Sequence, residues 1–292
     1  MKKPMKIMLL ILMLGLVITL AGCSADVYNQ PIGYDGGVGW VQWIVSRIAE
    51  AVYAISQFAG GYYVIGLIAI TVVIRVVGWP IYSKSTAASA NMQIAQPEIA
   101  RLQEKYAGKK DEASQRAQQQ EMMAIYKKYN INPLGCMLPL LQMPIFIAMY
   151  QTVRRIPLTE SYDNLNYGFL WFNFKDEPTG SLLEVWKIGE NWTFYLLAAI
   201  VGLTMFYYQR YAMKKPEFLE NKKYKTAQQS QSEKTMKYMT YFMTFMLVTI
   251  AYTNLGIAFY WVLGNLFQFL QTYVNRKQTI KKHYAEKDIV RG

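Results

Sequence analysis

Arg75 has the clearest potential for chemistry in this sequence, because it is a cation inside an apolar segment. Residues 70–74 before it read Ile-Thr-Val-Val-Ile, and Val76 and Val77 follow it. An unpaired arginine in the middle of a membrane helix costs about 2.5 to 3.5 kcal/mol on insertion scales. Arg75 lies about seven residues, or roughly 10 Å, from the end of the segment, so reaching the lipid headgroups would stretch its side chain. The position therefore favours a functional cation over one that merely snorkels to the headgroups.

Polar side chains at helical spacing in the apolar segments are candidates for a site shared with Arg75. Such polar stripes either join neighbouring helices by hydrogen bonds or line a hydrated cavity. Hydrogen bonding between helices explains the amides and hydroxyls but not an unpaired arginine, whereas a hydrated groove open to the cytoplasm explains both. The predicted groove residues are Arg75, Thr71, Gln142, Trp261, Asn265 and Gln268.

Hydrolytic and metal chemistry lacks its usual residues in this chain. The sequence has one histidine, His283, in the basic C-terminal segment, and two cysteines, Cys23 and Cys136. This set makes neither a zinc site nor a disulfide framework. The apolar segments contain no serine or histidine for nucleophilic catalysis and no Asp or Glu for proton-driven transport. We therefore expect no enzymatic activity, no metal and no cofactor.

The elements that must position the groove residues are apolar helices. Hydrophobic residues make up 53% of the 292 residues and charged residues 17%, and the charges are concentrated between the apolar segments. Each apolar segment approaches the roughly 20 residues that cross a bilayer as a helix. The sequence therefore predicts an all-α polytopic membrane protein with five transmembrane helices, at 61–82, 133–153, 192–211, 238–252 and 255–273.

The N-terminus carries the features of an export signal followed by a cysteine for lipid attachment. Three lysines within the first six residues precede an apolar run, and Leu-Ala-Gly at 20–22 stands directly before Cys23. A basic start, a short apolar core and small residues before the cut are typical of a secretory signal peptide. Because a cysteine at this place resembles the bacterial lipoprotein signal, we predict a signal peptide at 1–22 and acylation of Cys23, for example by palmitate. The alternative is a signal anchor with an incidental cysteine.

The distribution of charge predicts the orientation in the membrane. Lys and Arg number 31 against 19 Asp and Glu, a net charge of +12. Basic residues dominate segments 83–132 and 212–237 and the tail 275–292, whereas segment 156–191 has two lysines against six acidic residues. This alternation follows the positive-inside rule, with Cys23 outside and the C-terminus in the cytoplasm of a bacterial cell. The excess of positive charge thus indicates topology, and we expect no DNA partner.

Two helical elements are predicted outside the spans. Within the extracytoplasmic segment 23–60, apolar residues recur at helical spacing over 38–58, which indicates an amphipathic helix on the outer surface in preference to a poor transmembrane helix. Segment 83–132 is expected to form a cytoplasmic helical hairpin, with its turn at 107–111 and Pro97 in the first turn of one arm. Few apolar contacts would join the two arms, so we expect the hairpin to be mobile.

Several short motifs occur in a fixed order along the chain. They are Arg75 with Gly78-Trp79-Pro80, Asn-Pro-Leu-Gly-Cys-Met-Leu-Pro at 132–139, Gln-Met-Pro-Ile-Phe at 142–146, and Tyr260-Trp261 with Asn265. Each motif alone is weak, but their order and spacing are specific. Together with the lipoprotein signal and the basic tail, they resemble the YidC/Oxa/Alb family of membrane-protein insertases, in the Gram-positive form that lacks a large outer domain.

The resemblance implies a core at 61–274 whose five helices enclose a hydrophilic groove open to the cytoplasm and to lipid. In that groove Arg75 would attract the translocating segment of a client, and Gln142, Trp261 and Asn265 would occupy polar or aromatic positions. The family inserts and helps to fold nascent membrane proteins without ATP, alone or beside the Sec translocon. Its hairpin and tail meet targeting factors and ribosomes, so these and the membrane lipids are the other expected partners.

Two other functions are compatible with the residues alone. A small anion transporter or channel would use Arg75 as its anion site, although no internal repeat and no hydrophilic path to the outside are evident. A structural assembly factor that only chaperones membrane proteins would share the groove, and the sequence does not separate it from an insertase.

Overall fold

The computed structural model describes residues 25–33, 39–109, 111–131, 138–214 and 227–291. The predicted signal peptide 1–22, the lipidation site Cys23 and motif residues 132–137 lie outside the described residues. Within the described residues α-helix dominates, which confirms the all-α prediction.

Eight α-helices can be followed in the described part of the chain. They are α1 (Gly39–Phe58), α2 (Tyr63–Val77), α3 (Trp79–Lys105), α4 (Glu112–Lys128), α5 (Leu138–Arg155), α6 (Ile188–Met213), α7 (Ala227–Tyr252) and α8 (Leu255–Arg291). A short antiparallel strand pair, β1 (Gly168–Phe169) and β2 (Phe172–Asn173), lies between α5 and α6 and was not predicted. The basic tail therefore continues the helix of the fifth predicted span.

The first apolar segment, predicted as one helix over 61–82, is instead two helices. The two axes, of α2 and α3, meet at an angle of 56°. Gly78 is the N-cap of α3 and Pro80 stands in its first turn, where the missing N–H of proline costs no hydrogen bond. The prediction that Pro97 stands in the first turn of a helix is wrong. The helix α3 begins at Trp79, with Pro80 in its first turn, and Pro97 lies in its interior.

By length and composition, no single helix among the described residues would cross a membrane, whereas α2 and α3 taken together as a bent pair could. The number and bounds of the spans therefore stay a prediction.

The chain divides into two compact units. The first takes in the described residues up to Ile74, together with Leu141–Leu197 and Ala251–Leu263. The second takes in Arg75–Leu140, Ala198–Ile250 and the residues from Gly264 onward. Several helices therefore contribute residues to both units.

In the first unit, the apolar stripe of α1 packs against α5. Val41 and Val45 of α1 form a buried cluster with Ile147 and Ala148 of α5. The helix is amphipathic, since its buried residues recur every three or four positions while Trp43 on another face is 65% exposed. Protein, and not only lipid, thus covers the apolar stripe of α1.

Arg155, at the end of α5, is fully buried and hydrogen-bonded on all sides. Its Nε donates to the Gln30 carbonyl at 2.8 Å and its Nη2 to the Pro31 carbonyl at 2.7 Å. Its Nη1 donates to Oε1 of Gln42 at 2.6 Å and to Oε1 of Gln151 at 3.0 Å. This one side chain therefore joins the N-terminal segment and α1 to α5.

An aromatic cluster organises the loop between α5 and α6. The ring of Phe174 lies 5.2 Å from that of Tyr63 and 5.7 Å from that of Phe259, both nearly edge-on. Phe169 and Phe172, from the two short strands, join the same cluster. Edge-to-face packing of this kind adds to the burial of the rings, so the acidic loop folds onto α2 and α8 within the first unit.

Replacing Arg155 should destabilise the protein far more than replacing its neighbour. Arg155→Met would leave the carbonyls of Gln30 and Pro31 and the amide oxygen of Gln42 without this donor, at about 1 to 3 kcal/mol for each group left unsatisfied. The amide oxygen of Gln151 would keep its bond from Nε2 of Gln42 at 3.2 Å. Arg154 makes a single exposed hydrogen bond, to Asn29 Oδ1 at 2.7 Å, so Arg154→Met is the matched control and should cost at most about 0.5 kcal/mol. Thermal unfolding of the purified protein in detergent measures both. Equal midpoints for the two variants would contradict the role given to Arg155.

In the second unit, α3 and α4 form a helical hairpin with the turn at Gly108, whose φ of +83° suits glycine. Two similar clusters join the arms. In each, a lysine ammonium lies 2.6 Å from a glutamate oxygen, and a tyrosine hydroxyl donates to the same oxygen at 2.8 or 2.9 Å. The clusters are Glu98 with Lys128 and Tyr129, and Glu121 with Lys105 and Tyr106. These charged and hydrogen-bonded clusters join the arms, and they add to the apolar burial that α3 supplies with Leu102 while α4 itself buries no residue.

The hairpin should loosen in acid, because its glutamates must be ionised to accept these bonds. The hydrogen bond from Lys128, assisted by that from Tyr129, lowers the pKa of Glu98, and burial raises the pKa of Tyr129 to about 12. A carboxyl whose folded-state pKa is lowered stabilises the fold above its unfolded pKa and loses that effect as pH falls through the folded-state pKa. We expect the backbone amides of the hairpin to exchange faster, after correction for intrinsic exchange, only when the pH falls below the ordinary pKa range of glutamate.

At pH 7, Glu98→Gln should reproduce part of this loosening. A partly exposed ion pair contributes at most about 1 kcal/mol, or roughly fivefold in corrected exchange rate. Glu104→Gln is the control, because Glu104 is exposed and its side chain makes no hydrogen bond among the described residues. Equal protection in the two variants would mean that the Glu98 cluster does not hold the arms.

Candidate functional site

Arg75 lies in the last turn of α2, next to the break at Gly78. Its side chain is half-buried, and within the described residues its guanidinium makes no hydrogen bond and no ion pair. Its backbone carbonyl accepts a hydrogen bond from Nε2 of the buried Gln271 at 2.9 Å. Because carbonyls at a helix end lack intrahelical donors, Gln271 completes this end of α2 and leaves the cation itself uncommitted.

The guanidinium of Arg75 lies against Gly264 of α8. A Cβ atom added at Gly264 would lie 2.7 Å from Nη2 and 3.7 Å from Cζ of Arg75. The guanidinium therefore rests against the backbone of α8, where any side chain would displace it. Sequence reasoning missed Gly264. A glycine inside a helix destabilises the helix by about 1 kcal/mol relative to alanine, so its presence there could have indicated a close contact.

A chain of hydrogen bonds links α8 to α6 and α3 beside Gly264. Asn265 Nδ2 donates to Oγ1 of Thr204 at 3.1 Å, and Gln268 Nε2 donates to the Tyr208 hydroxyl at 3.1 Å. Tyr82 connects this chain onward, with its hydroxyl 3.1 Å from that of Tyr208 and 2.6 Å from that of Thr272. These contacts join the three helices within the second unit.

The structure distinguishes the roles of the predicted site residues. Asn265 and Gln268 lie one and four residues after Gly264, and their amides bind neighbouring helices, as expected of residues that join helices. Thr71 is buried, and its hydroxyl donates to the Leu67 carbonyl at 2.7 Å. Only Arg75, of these four, is left without a partner among the described residues.

Trp261 and Gln142 complete the predicted set. Trp261 is buried in the first unit and stacks on Phe146, with 6.0 Å between ring centroids. Its indole Nε1 has no hydrogen-bond partner among the described residues. Gln142 lies on α5, but its side chain lies outside what the structure describes.

The first residues of the basic tail belong to the fold of the second unit. Arg276 Nη1 donates to the Tyr211 carbonyl at 2.7 Å, and Nη2 donates to the Lys214 carbonyl. A cation that binds the last carbonyls of a helix also compensates the negative end of its dipole. Arg276 thus caps the C-terminus of α6, although the charge pattern alone places it only in the basic tail.

A side chain at position 264 should move Arg75 without unfolding the protein. The atom that a Cβ at 264 would meet is the far end of a flexible side chain, so Gly264→Ala should be accommodated by rotation of Arg75. In arginine-labelled protein in micelles, the Nε–Hε resonance of Arg75, assigned by its loss in Arg75→Lys, should shift. Gly189→Ala is the control, because a Cβ there meets nothing within 4 Å. An Arg75 resonance unchanged by Gly264→Ala would contradict the contact.

Comparison with known proteins places the chain in a family. Residues 54–283 match the family described as 60Kd inner membrane protein. Membrane protein insertase MisCA of Bacillus subtilis is 31% identical over 280 residues, covering 95% of this chain and 94% of the relative. Membrane protein insertase YidC 2 of Listeria innocua is 31% identical over 275 residues, covering 93% and 84%. Membrane protein insertase YidC 2 of Bacillus anthracis is 31% identical over 282 residues, covering 96% and 97%. The resemblance drawn from the motifs is confirmed, and the chain belongs to the YidC family of bacterial membrane proteins.

Proposed function

We propose that this protein inserts nascent membrane proteins into the bacterial cell membrane and helps them to fold, with Arg75 as a transient counter-charge for the client. The relatives named above are membrane protein insertases, and they match the chain over most of its length. The proposed action is not enzymatic: no bond is made or broken, and the protein lowers the barrier that a polar segment of the client must cross.

The observation that carries this proposal is the uncommitted guanidinium of Arg75. The amides of Asn265 and Gln268, close to Gly264 on α8, are bonded to Thr204 and Tyr208, and that of Gln271 is bonded to the backbone carbonyl of Arg75, so none of them binds the guanidinium. Arginine stays protonated under physiological conditions, and its five donors suit a carboxylate. An acidic residue in the translocated segment of a client would supply the partner that the described fold does not.

Two driving forces then move the client without ATP. A hydrated groove shortens the apolar distance that a polar segment must cross, and the membrane potential favours outward movement of negative charge by about 2.3 kcal/mol per charge per 100 mV. The apolar helix of the client leaves sideways into lipid, where burial at about 0.8 kcal/mol per CH₂ retains it. Arg75 must bind the carboxylate weakly enough to release it.

The proposed membrane arrangement follows the charge pattern. Five spans form a core over 61–274, with Cys23 acylated outside and the tail from 275 to 292 in the cytoplasm. The hairpin within 83–132 and the tail would meet ribosomes and targeting factors, and the core would act alone or beside the Sec translocon. The ion pairs that hold the hairpin and the cap that Arg276 places on α6 support a defined cytoplasmic face for such contacts.

Substitutions at Arg75 with paired clients test the counter-charge. Two single-span clients that differ only in the charge of the translocated tail are compared by protease protection, at matched protein levels. Arg75→Ala should reduce insertion of the acidic-tail client about tenfold or more, because a counter-charge at 4 Å and an effective dielectric of about 20 is worth about 4 kcal/mol. The neutral-tail client should be largely spared. Arg75→Lys should keep much of the activity, and Arg75→Glu should be worse than alanine.

The control is Arg101→Ala, which removes an exposed cation of the hairpin. Equal insertion of the acidic-tail client by the wild type and Arg75→Ala would rule out the counter-charge. Failure of lysine together with alanine would indicate a strict hydrogen-bonding role. The same unpaired cation would also suit a small anion, so flux of a small anion through proteoliposomes, abolished by Arg75→Ala, would favour a transporter or channel.

A further inference from the structure

A cleft of about 880 Å³ lies between α6, α7 and α8 in the second unit, and Arg75 is not part of its wall. We propose that this cleft binds an anionic phospholipid of the cytoplasmic leaflet, with its headgroup phosphate on three cations and its acyl chains along an aromatic wall. The cations are Arg210 and Lys214, at the end of α6, and Lys237 of α7. The choice of leaflet rests on the orientation proposed above.

The three cations have no protein partner in the part of the chain that the structure describes. Their side chains are exposed, and none makes a hydrogen bond or an ion pair there. Among the described residues that line the cleft there is no Asp or Glu. Arg210 and Lys214 stand four residues apart, at the spacing at which like charges on a helix repel. A phosphate between them would replace this repulsion with charge-assisted hydrogen bonds.

The end of α6 is prepared for an anion in a second way. A helix C-terminus normally repels negative charge, because its last carbonyls point outward. Here the guanidinium of Arg276 binds the carbonyls of Tyr211 and Lys214. Those oxygens are therefore satisfied and neutralised, and the side chains of Arg210 and Lys214 set the potential of the cleft.

The rest of the wall fits acyl chains, which distinguishes a lipid from a free phosphate. Four of the five aromatic rings that line the cleft are 39% to 64% exposed, so they present apolar surface that a small anion would leave uncovered. The rings are Phe206, Tyr207, Tyr241 and Phe269. Cations beside exposed aromatic rings are typical of protein surfaces at the headgroup level of a membrane.

The positions of the cleft cations in the sequence also place them at the headgroup level of the membrane. Arg210 ends the predicted span at 192–211, and Lys237 immediately precedes the predicted span at 238–252. The segment between them, 212–237, is the basic one that the positive-inside rule assigns to the cytoplasm. The cleft therefore lies where a phospholipid of the inner leaflet places its phosphate.

Native mass spectrometry of the full chain in detergent micelles measures the affinity for phosphatidylglycerol and for phosphatidylcholine. The combined variant Arg210→Gln, Lys214→Gln and Lys237→Gln should bind phosphatidylglycerol at least about tenfold more weakly, the equivalent of about 1.4 kcal/mol, and phosphatidylcholine as before. The charge-preserving variant Arg210→Lys, Lys214→Arg and Lys237→Arg should stay within about twofold of the wild type, which shows that an intact cleft with its charges suffices.

The matched control removes three exposed cations of a different basic segment, 83–132, with Lys84→Gln, Arg101→Gln and Lys127→Gln. It has the same net charge as the cleft variant and should bind phosphatidylglycerol like the wild type. Equal weakening by both sets would overturn the proposal in favour of diffuse surface charge. Displacement of the lipid by an equal concentration of glycerol 1-phosphate would overturn it in favour of a free-phosphate site. Arg75→Ala should not change lipid binding, so this result and that of the insertion assay can fail independently.

Discussion

An uncompensated cation next to a break in an apolar helix is the constraint on which the arrangement of the second unit depends. Full burial of such a charge would cost several kcal/mol, so the helices around it must leave it access to water or to an anion. Arg75 is accordingly half-buried, and its guanidinium rests on a stretch of α8 that carries no side chain at Gly264. The defining property of the site is thus a charge that the described residues around it leave free.

The neighbouring hydrogen bonds make sense under this constraint. If Asn265 or Gln268 bound Arg75, the site would hold its own partner and attract a client less strongly. Instead their amides bind α6, and Gln271 binds the backbone carbonyl of Arg75 and not its side chain. These bonds hold α8 in place, and with it the surface on which the guanidinium rests. A cation positioned in advance loses less conformational entropy when it meets a carboxylate.

The sequence predicted those parts of the fold that have a local signal. The periodicity of apolar residues predicted the helical class, the amphipathic α1 and the two helices around Gly108. The residue types predicted that Arg75 and the polar face of α8 belong to a site. The break at Gly78 was missed because the apolar run continues across it, although Pro80 was a signal. The strands β1 and β2 have two residues each, too few for alternation to show.

Other features depend on contacts that no local pattern encodes. Gly264 has no side chain to mark its contact with Arg75. The charge pattern assigns Arg276 only to the basic tail, because its acceptors lie more than 60 residues earlier in the chain, at the end of α6. Hydrogen bonds to backbone carbonyls leave no trace in residue type, so they become visible only when the chain is folded.

Comparing Arg75 with the buried Arg155 gives the strongest reason to regard Arg75 as functional. Arg155 ends an apolar helix as Arg75 does, and it shows how this protein treats an arginine that serves only the fold. Four neutral oxygens, two from the backbone and two from glutamines, take up its donors, and no part of it reaches solvent. The chain can therefore satisfy an arginine without any carboxylate. Amide and hydroxyl groups suited to the same purpose occur on α6 and α8, yet Asn265 binds Thr204 and Gln268 binds Tyr208. Because such groups are present and are not used, the lack of a partner for Arg75 among the described residues is a property of the site and not a deficit of the sequence.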